Sequence, residues 1–415
     1  MRRLAIVLYI LLTSAAALKH RSGENPIDWR LVPPSVYENL HNHETLVTIP
    51  EGPPKGVIFV LAACDTFLEV WGFPSHGCKH CVGKPEEMLI VYHAITRGYV
   101  VVVIGPLLSG VDNLCFMRTW PPEESLETAE LRRTMRLILE EHDWWHLPRF
   151  LLGTSAGGSA AMILAARFPV QAVASMLMGL QPDHMFEERN LLCWNPDTAL
   201  KRNMTWAYPP VLLLKASNDN DGVKERMDNT KNFFRRHGIY AELIVMEPYP
   251  FQPHTFGRML PYVDSDQSVA LFEEFRAVGL IDERGFGQMP QYHESVERWE
   301  KSRDDLRHIL ISHFAKDSAD PNRAVHKFVE HMWKMFYAAQ AVHETRGKEI
   351  NQVLDFFERR AVPDMEEITD KDSDLVHQWG SNAEDVAYRL GLPKDGSCGE
   401  LLPRPAEARS GKGAR

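Results

Sequence analysis

The sequence predicts an α/β protein: a doubly wound, mostly parallel sheet with an insertion late in the sheet and a helical extension at the C-terminal end. Three observations lead there. Short Val/Ile/Leu-rich runs recur between about residues 46 and 280, as strands buried on both faces of a parallel sheet require. Amphipathic stretches separate those runs. After residue 280 the strand signal fades and helical spacing takes over. The 415 residues suffice for one large domain with an appendage, and 44% apolar with 25% charged residues is ordinary for a soluble globular chain. A formal charge of −10, with no basic stripe interleaved with aromatics, argues against nucleic-acid binding.

The chain opens on "MRRLAIVLYILLTSAAALKH". Arg2 and Arg3 form a basic start, Leu4 to Leu12 are apolar, and Ala15-Ala16-Ala17 offers a small-residue cleavage site. This pattern predicts a secretory signal peptide over residues 1–17, with an uncleaved anchor as the alternative. No later segment is apolar enough to span a bilayer, so no stable membrane span is expected. The expected location is the secretory pathway, either secreted or in an endomembrane lumen. Asn203-Met204-Thr205 is a glycosylation sequon. In an oxidising compartment the six cysteines, Cys64, Cys78, Cys81, Cys115, Cys193 and Cys398, favour disulfides, with the pairing left open. "HGCKHC" (76–81) also resembles half a metal site or a redox Cys-x-x-C, but the second pair of ligands that zinc needs is absent. Neither metal nor cofactor is expected.

The strand-like runs are "LVTI" (46–49), "GVIFVLAAC" (56–64), "YVVVVIG" (99–105), "RFLLGTS" (149–155), "AVASMLMGL" (172–180), "VLLLKAS" (211–217) and "AELIVME" (241–247). Between them, "PEEMLIVYHAITRGY" starts a helix at Pro85, groups Met88, Val91, Tyr92 and Ile95 on one face, and stops at Gly98. "ESLETAELRRTMRLILEEH" does the same with Leu131, Met135 and Ile138. Residues 181–210 are too long for a plain connection and read as an insertion or lid, with Met185, Phe186, Leu191, Leu192 and Trp194 as candidate pocket or packing residues. In the helical extension, placed at 281–400, Val325, Phe328, Met332, Phe336 and Ala339 share a face that reads as core. Residues 401–415 read as a disordered tail. The main domain is then 18–280.

One motif carries chemistry. Gly153-Thr154-Ser155-Ala156-Gly157 ends a buried strand and opens a small-residue helix. Glycines at those positions let the chain turn sharply and hold a serine at the apex with its hydroxyl exposed. A helix N-terminus behind it favours developing negative charge. Ser155 is therefore the candidate nucleophile. It needs a base and an orienting acid, in the chain order Ser, acid, His. "VLLLKASNDNDG" ends a strand with Asp219 and Asp221. Asp219 is favoured as nearer the strand end, Asp221 is the alternative acid, one of the two is a candidate cap for the following helix, and Asp183 is a third choice. "MEPYPFQPHTFGRM" follows the last strand with one histidine, His254, in a proline-rich loop, and this is the candidate base. The oxyanion donors expected are the N–H of Ala156 and one from the loop after "VIFVLAAC", near Cys64 or Asp65.

Through "GTSAGG", the Asp219 segment and "PHTF" the chain resembles the α/β-hydrolase superfamily. It is more narrowly similar to a group of secreted hydrolase-fold proteins of plants and algae. The stretches that carry this are "SHGCKHCVGKPEEMLIVYHAITRGYVVVV", "MEPYPFQPHTFGRM" with "ALFEEFRAVGLIDERGF", and "FYAAQAVHETRGKEINQVLDFFE". The likeness spans roughly residues 45 to 360. It departs at Ala62-Ala63-Cys64, where the group has His-Gly-Cys. The last stretch contains Ala341-Val342-His343-Glu344. Read as a continuous helix, it turns His343 and Glu344 in different directions and makes them surface residues.

The Ser, Asp and His candidates read as a serine hydrolase that cleaves carboxylic esters through a Ser-His-Asp triad and an acyl-enzyme; the apolar insertion at 181–210 points to a small-molecule or lipid-like ester, and the resemblance itself supplies no substrate. A peptidase or acyltransferase uses the same triad. The competing reading is a hydrolase-fold protein without catalysis that binds a partner through its helical extension. Oligomeric state is not legible in the sequence.

Overall fold

The computed structural model describes residues 27–40, 43–64, 66–107, 115–116, 126–181, 208–237, 239–291 and 295–360. The predicted signal peptide, all but the ends of the 181–210 insertion, the sequon, Asp65, Asp183, Cys193, Cys398 and the tail lie outside these residues.

Eight strands form one sheet: β1 (Val36–Leu40), β2 (His43–Thr48), β3 (Gly56–Leu61), β4 (Tyr99–Leu107), β5 (Arg149–Thr154), β6 (Ala172–Met176), β7 (Val211–Ala216) and β8 (Ala241–Met246). Their order is β1-β2-β4-β3-β5-β6-β7-β8. The first two strands are antiparallel to their neighbours, and β4, β3 and β5 to β8 run parallel. This is the α/β-hydrolase fold: the strand order reverses direction at β3/β5, and the strands' carboxyl ends open there to a site. Seven strands coincide with the apolar runs. β1 has an exposed, mixed pattern and gives no such run.

Alternation along the strands feeds two cores. Ile58, Val60, Val101, Val103, Phe150 and Leu152 face one side, under α1 (Pro85–Thr96). Val57, Phe59, Leu61, Val100, Val102 and Leu151 face the other, under α2 (Leu126–Glu141), α3 (Ala156–Ala165) and α4 (Asp221–Arg236). The expected helix faces are buried: Met88, Leu131 and Met135 are wholly inaccessible. Beyond β8 come α5 (Thr255–Met259), α6 (Ser265–Ala277), α7 (Val296–Phe314) and α8 (Pro321–Ala339), which share a third core around Phe251, Phe256, Phe275 and Phe336. Val325, Met332, Phe336 and Ala339 are buried in it, and Phe328 stacks on Tyr262.

The chain then returns to the sheet. α9 (Ile350–Glu358) packs Val353, Leu354, Phe356 and Phe357 into the α1-side core, with Phe357 stacked on Phe150 at 4.6 Å. Arg97 at the end of α1 binds Asp355 and Asn351 of α9. The C-terminal helices are thus not a free appendage, because the last of them completes one face of the sheet. Residues 340–349 between α8 and α9 are an irregular connection, where the sequence read one continuous helix. Ala341 breaks the helix with φ 53°, and Gly347 lies against α1 so closely that a Cβ would come 2.5 Å from the Glu86 carbonyl oxygen.

Cys78 and Cys81 form a disulfide, as do Cys64 and Cys115. Sulfurs bonded to each other are not metal ligands, so "HGCKHC" here is a disulfide and not half a metal site. Among the described residues no helix is long and apolar enough to cross a membrane.

Candidate active site

The turn from β5 to α3 has the geometry its glycines allow. Ser155 stands at its apex with φ 54° and ψ −123°, a conformation costly for any residue with a Cβ and typical of functional positions. A Cβ at Gly153 would fall 2.1 Å from the Gly157 carbonyl oxygen, and one at Gly157 would fall 2.2 Å from that of Leu61. The helix is therefore drawn tight against β5 and the end of β3. Ser155 donates its backbone N–H to Met176 at 2.8 Å, which fixes the apex to the end of β6.

The side chain at Ser155 is not met by His254. Ser155 Oγ lies 2.8 Å from His343 Nε2, and His343 Nδ1 lies 2.7 Å from Asp219 Oδ2. An ionised carboxylate only accepts, so Nδ1 carries the proton and Nε2 accepts from the serine hydroxyl. The hydroxyl proton thus has an acceptor, and the imidazole has a fixed tautomer and a partner for the charge it would gain. His343 is a third exposed and the Asp219 side chain is almost wholly buried. Asp219 Oδ1 also accepts the Asn220 backbone N–H at 2.8 Å.

The structure brings His343, and not the expected His254, to Ser155. His254 is the exposed residue preceding α5, and its Nδ1 lies 3.2 Å from Ser265 Oγ. The chain does not present its histidine in the first loop after β8. It runs through four helices first and returns at residues 340–349. Asn218 holds that return in place: its backbone N–H donates to the Ala341 carbonyl and its amide to that of Gln340. His343 is on this loop, not on a helix surface. Glu344 next to it turns inward to Lys334 of α8.

Of the two candidate acids, Asp219 is the one that meets His343. Asp221 sits in the first turn of α4, fully exposed and paired with Lys224 at 2.9 Å. The cap of that helix is Asn220, which accepts from the Val223 N–H. Ala156 opens α3, where a backbone N–H has no partner within the helix. The loop holding Cys64 leaves β3 beside that same turn, and its disulfide to Cys115 anchors it.

Behind the histidine loop lie two buried carboxyl groups in the first turn of α1. Burial pushes Glu86 and Glu87 up to about 7. The folded state holds these protons more tightly than the unfolded chain. Their stabilising contribution is full below the unfolded carboxylate range and is lost as pH rises towards about 7. Burial pushes His331 down to about 4, so its contribution runs oppositely, present above 6.5 and lost as pH falls. Comparing wild type with a Glu86→Gln/Glu87→Gln variant isolates the carboxyls. The variant's urea midpoint is expected to rise relative to wild type between pH 5 and pH 8. An equal difference at both pH values would contradict the buried ionisation.

No protein-family model matches the chain. No curated protein matches it. Among solved structures it is similar to TT1662 from Thermus thermophilus, at 18% identity over 58% of this chain and 94% of that one, with a TM-score of 0.34. A Pyrobaculum calidifontis esterase gives 14% identity, 66% and 90% coverage, and a TM-score of 0.34. The Francisella virulence factor BioJ gives 10%, 67%, 90% and 0.36. Scores this low carry no argument about activity. The fold rests on the strand order and the turn at Ser155, and the likeness to the plant and algal group rests on its sequence stretches alone.

Proposed function

We propose that the chain is a serine hydrolase that cleaves carboxylic esters, with Ser155 as nucleophile, His343 as general base and acid, and Asp219 as orienting acid. The observation that carries this reading is the unbroken hydrogen-bonded series Ser155–His343–Asp219, at 2.8 and 2.7 Å, beginning at a strained serine on a strand-to-helix turn. Buried carboxylates are costly, and this one is spent on a partly exposed imidazole beside an accessible hydroxyl.

His343 Nε2 takes the hydroxyl proton as Ser155 Oγ attacks the ester carbonyl. The tetrahedral oxyanion is held by the Ala156 N–H and by a second backbone donor, for which Cys64 is the candidate. Collapse expels the alcohol, which takes the proton from His343 and leaves an acyl-serine. Water, deprotonated by the same nitrogen, releases the acid and restores the serine. Asp219 remains ionised and stabilises the imidazolium. The ester is a small or lipid-like molecule, and the reaction needs no metal or cofactor. The N-terminal pattern and the two disulfides favour the secretory pathway.

The test is hydrolysis of a p-nitrophenyl ester series of increasing acyl length. Wild type is expected to turn over at least one member, and Ser155→Ala to lose about a thousandfold or more. Equal rates in both proteins, or no turnover of any member, would overturn the reading.

A further inference from the structure

The residues following His343 form a second structure of their own, which the reaction does not use. Glu344 pairs with Lys334 of α8 and accepts the Thr345 N–H at 3.1 Å. Arg346 is buried, binds Glu349 at 2.6 Å, and reaches the Ala338 carbonyl at 3.4 Å. Gly347 donates its N–H to Glu86 Oε2 at 2.7 Å, and Glu86 Oε1 accepts the Tyr249 hydroxyl at 3.2 Å. Gly347 has no room for a Cβ, which would meet both the Glu86 carbonyl and Leu89 at 2.5 Å.

An irregular ten-residue connection is ordinarily a low-stability part of a fold. This one is held from both sides, by the partly buried Lys334–Glu344 ion pair on α8 and by the buried Gly347 N–H···Glu86 hydrogen bond on α1, and contacts of this kind contribute little net stability because desolvation offsets their attraction. Their effect is to fix geometry. Glu344 adjoins the histidine directly, and its carboxylate is held by Lys334 of α8. Without Lys334 the partly buried Glu344 carboxylate would lose its ion-pair partner in the residue adjoining His343.

We propose that Lys334 and Glu86 are positioning residues: they clamp the strip Glu344–Gly347 between α8 and α1 and thereby hold His343 in register with Ser155 and Asp219. The proposal rests on the reading of His343 as the base, and it adds residues far from Ser155 in sequence to that base's support. A displacement of about 1 Å at a catalytic group can cost a hundredfold in rate.

The experiment compares Lys334→Met, Lys334→Arg, Glu86→Ala and Glu86→Gln in the full chain. Two quantities are read: the second-order rate of labelling by a fluorophosphonate probe, and the downfield proton resonance of His343 Nδ1–H, assigned by its loss in His343→Gln. Lys334→Met and Glu86→Ala are expected to slow labelling by about tenfold or more and to shift or broaden that resonance while thermal unfolding stays cooperative. Lys334→Arg and Glu86→Gln keep the charge or the acceptor and are expected to restore both readouts to within about threefold of wild type. A cooperatively folded Lys334→Met with wild-type rate and resonance would overturn the clamp. If Glu86→Ala fails to fold, Lys334→Met decides, because that side chain is a third exposed. If wild type itself does not label, the catalytic reading fails separately. The His343 resonance then decides the clamp: changed in Lys334→Met supports it, unchanged refutes it.

Discussion

His343→Ala is expected to lower kcat/KM for an ester substrate by about a thousandfold or more, and His254→Ala to leave it within about threefold. The two histidines compete for one role, and the geometry separates them. His343 Nε2 is within hydrogen-bond reach of the serine hydroxyl and its other nitrogen is held by a buried carboxylate. His254 faces Ser265 at the start of α6 instead. Removing His343 leaves the hydroxyl without a base and Asp219 without its partner, so ground-state binding survives and the chemical step is lost. The check is steady-state kinetics on the purified variants, with circular dichroism to establish that each is folded. A His254→Ala protein as impaired as His343→Ala would contradict the assignment.

Asp219→Asn is expected to cost about a thousandfold to ten-thousandfold in kcat, with little change in KM. An amide at this position can donate to Nδ1, which favours the tautomer with its proton on Nε2 and removes the acceptor that the serine requires. Asp221→Asn is expected to leave kcat unchanged, because its side chain is fully exposed and paired with Lys224. The same kinetic assay checks both. A loss in Asp221→Asn matching that in Asp219→Asn would move the acid to the helix.

Much of this site was legible in the sequence, and the part that was not has a physical cause. The Ser155 turn was readable because steric demand leaves no alternative: Gly153 and Gly157 touch backbone where a side chain cannot fit. Asp219 was readable from its place at the end of an apolar strand. His343 was hidden because helical spacing through Ala339 resumes in α9, and the intervening loop contains residues that suit a helix. The break is made by tertiary contacts, Asn218 on Ala341 and Glu86 on Gly347, which no local pattern records. The signal that was present was Gly347 itself, a glycine interrupting an otherwise helical run, four residues after a histidine. β1 was missed for a similar reason: as an edge strand with one partner it buries little and needs no apolar run.

The most direct test of the central claim is fluorophosphonate labelling of the purified protein, followed by peptide mapping of the labelled residue. The account predicts a single labelled site at Ser155, present in wild type and His254→Ala and absent or slowed about a thousandfold in His343→Ala. Labelling at another residue, or labelling of Ser155 that survives removal of His343 but not of His254, would contradict it.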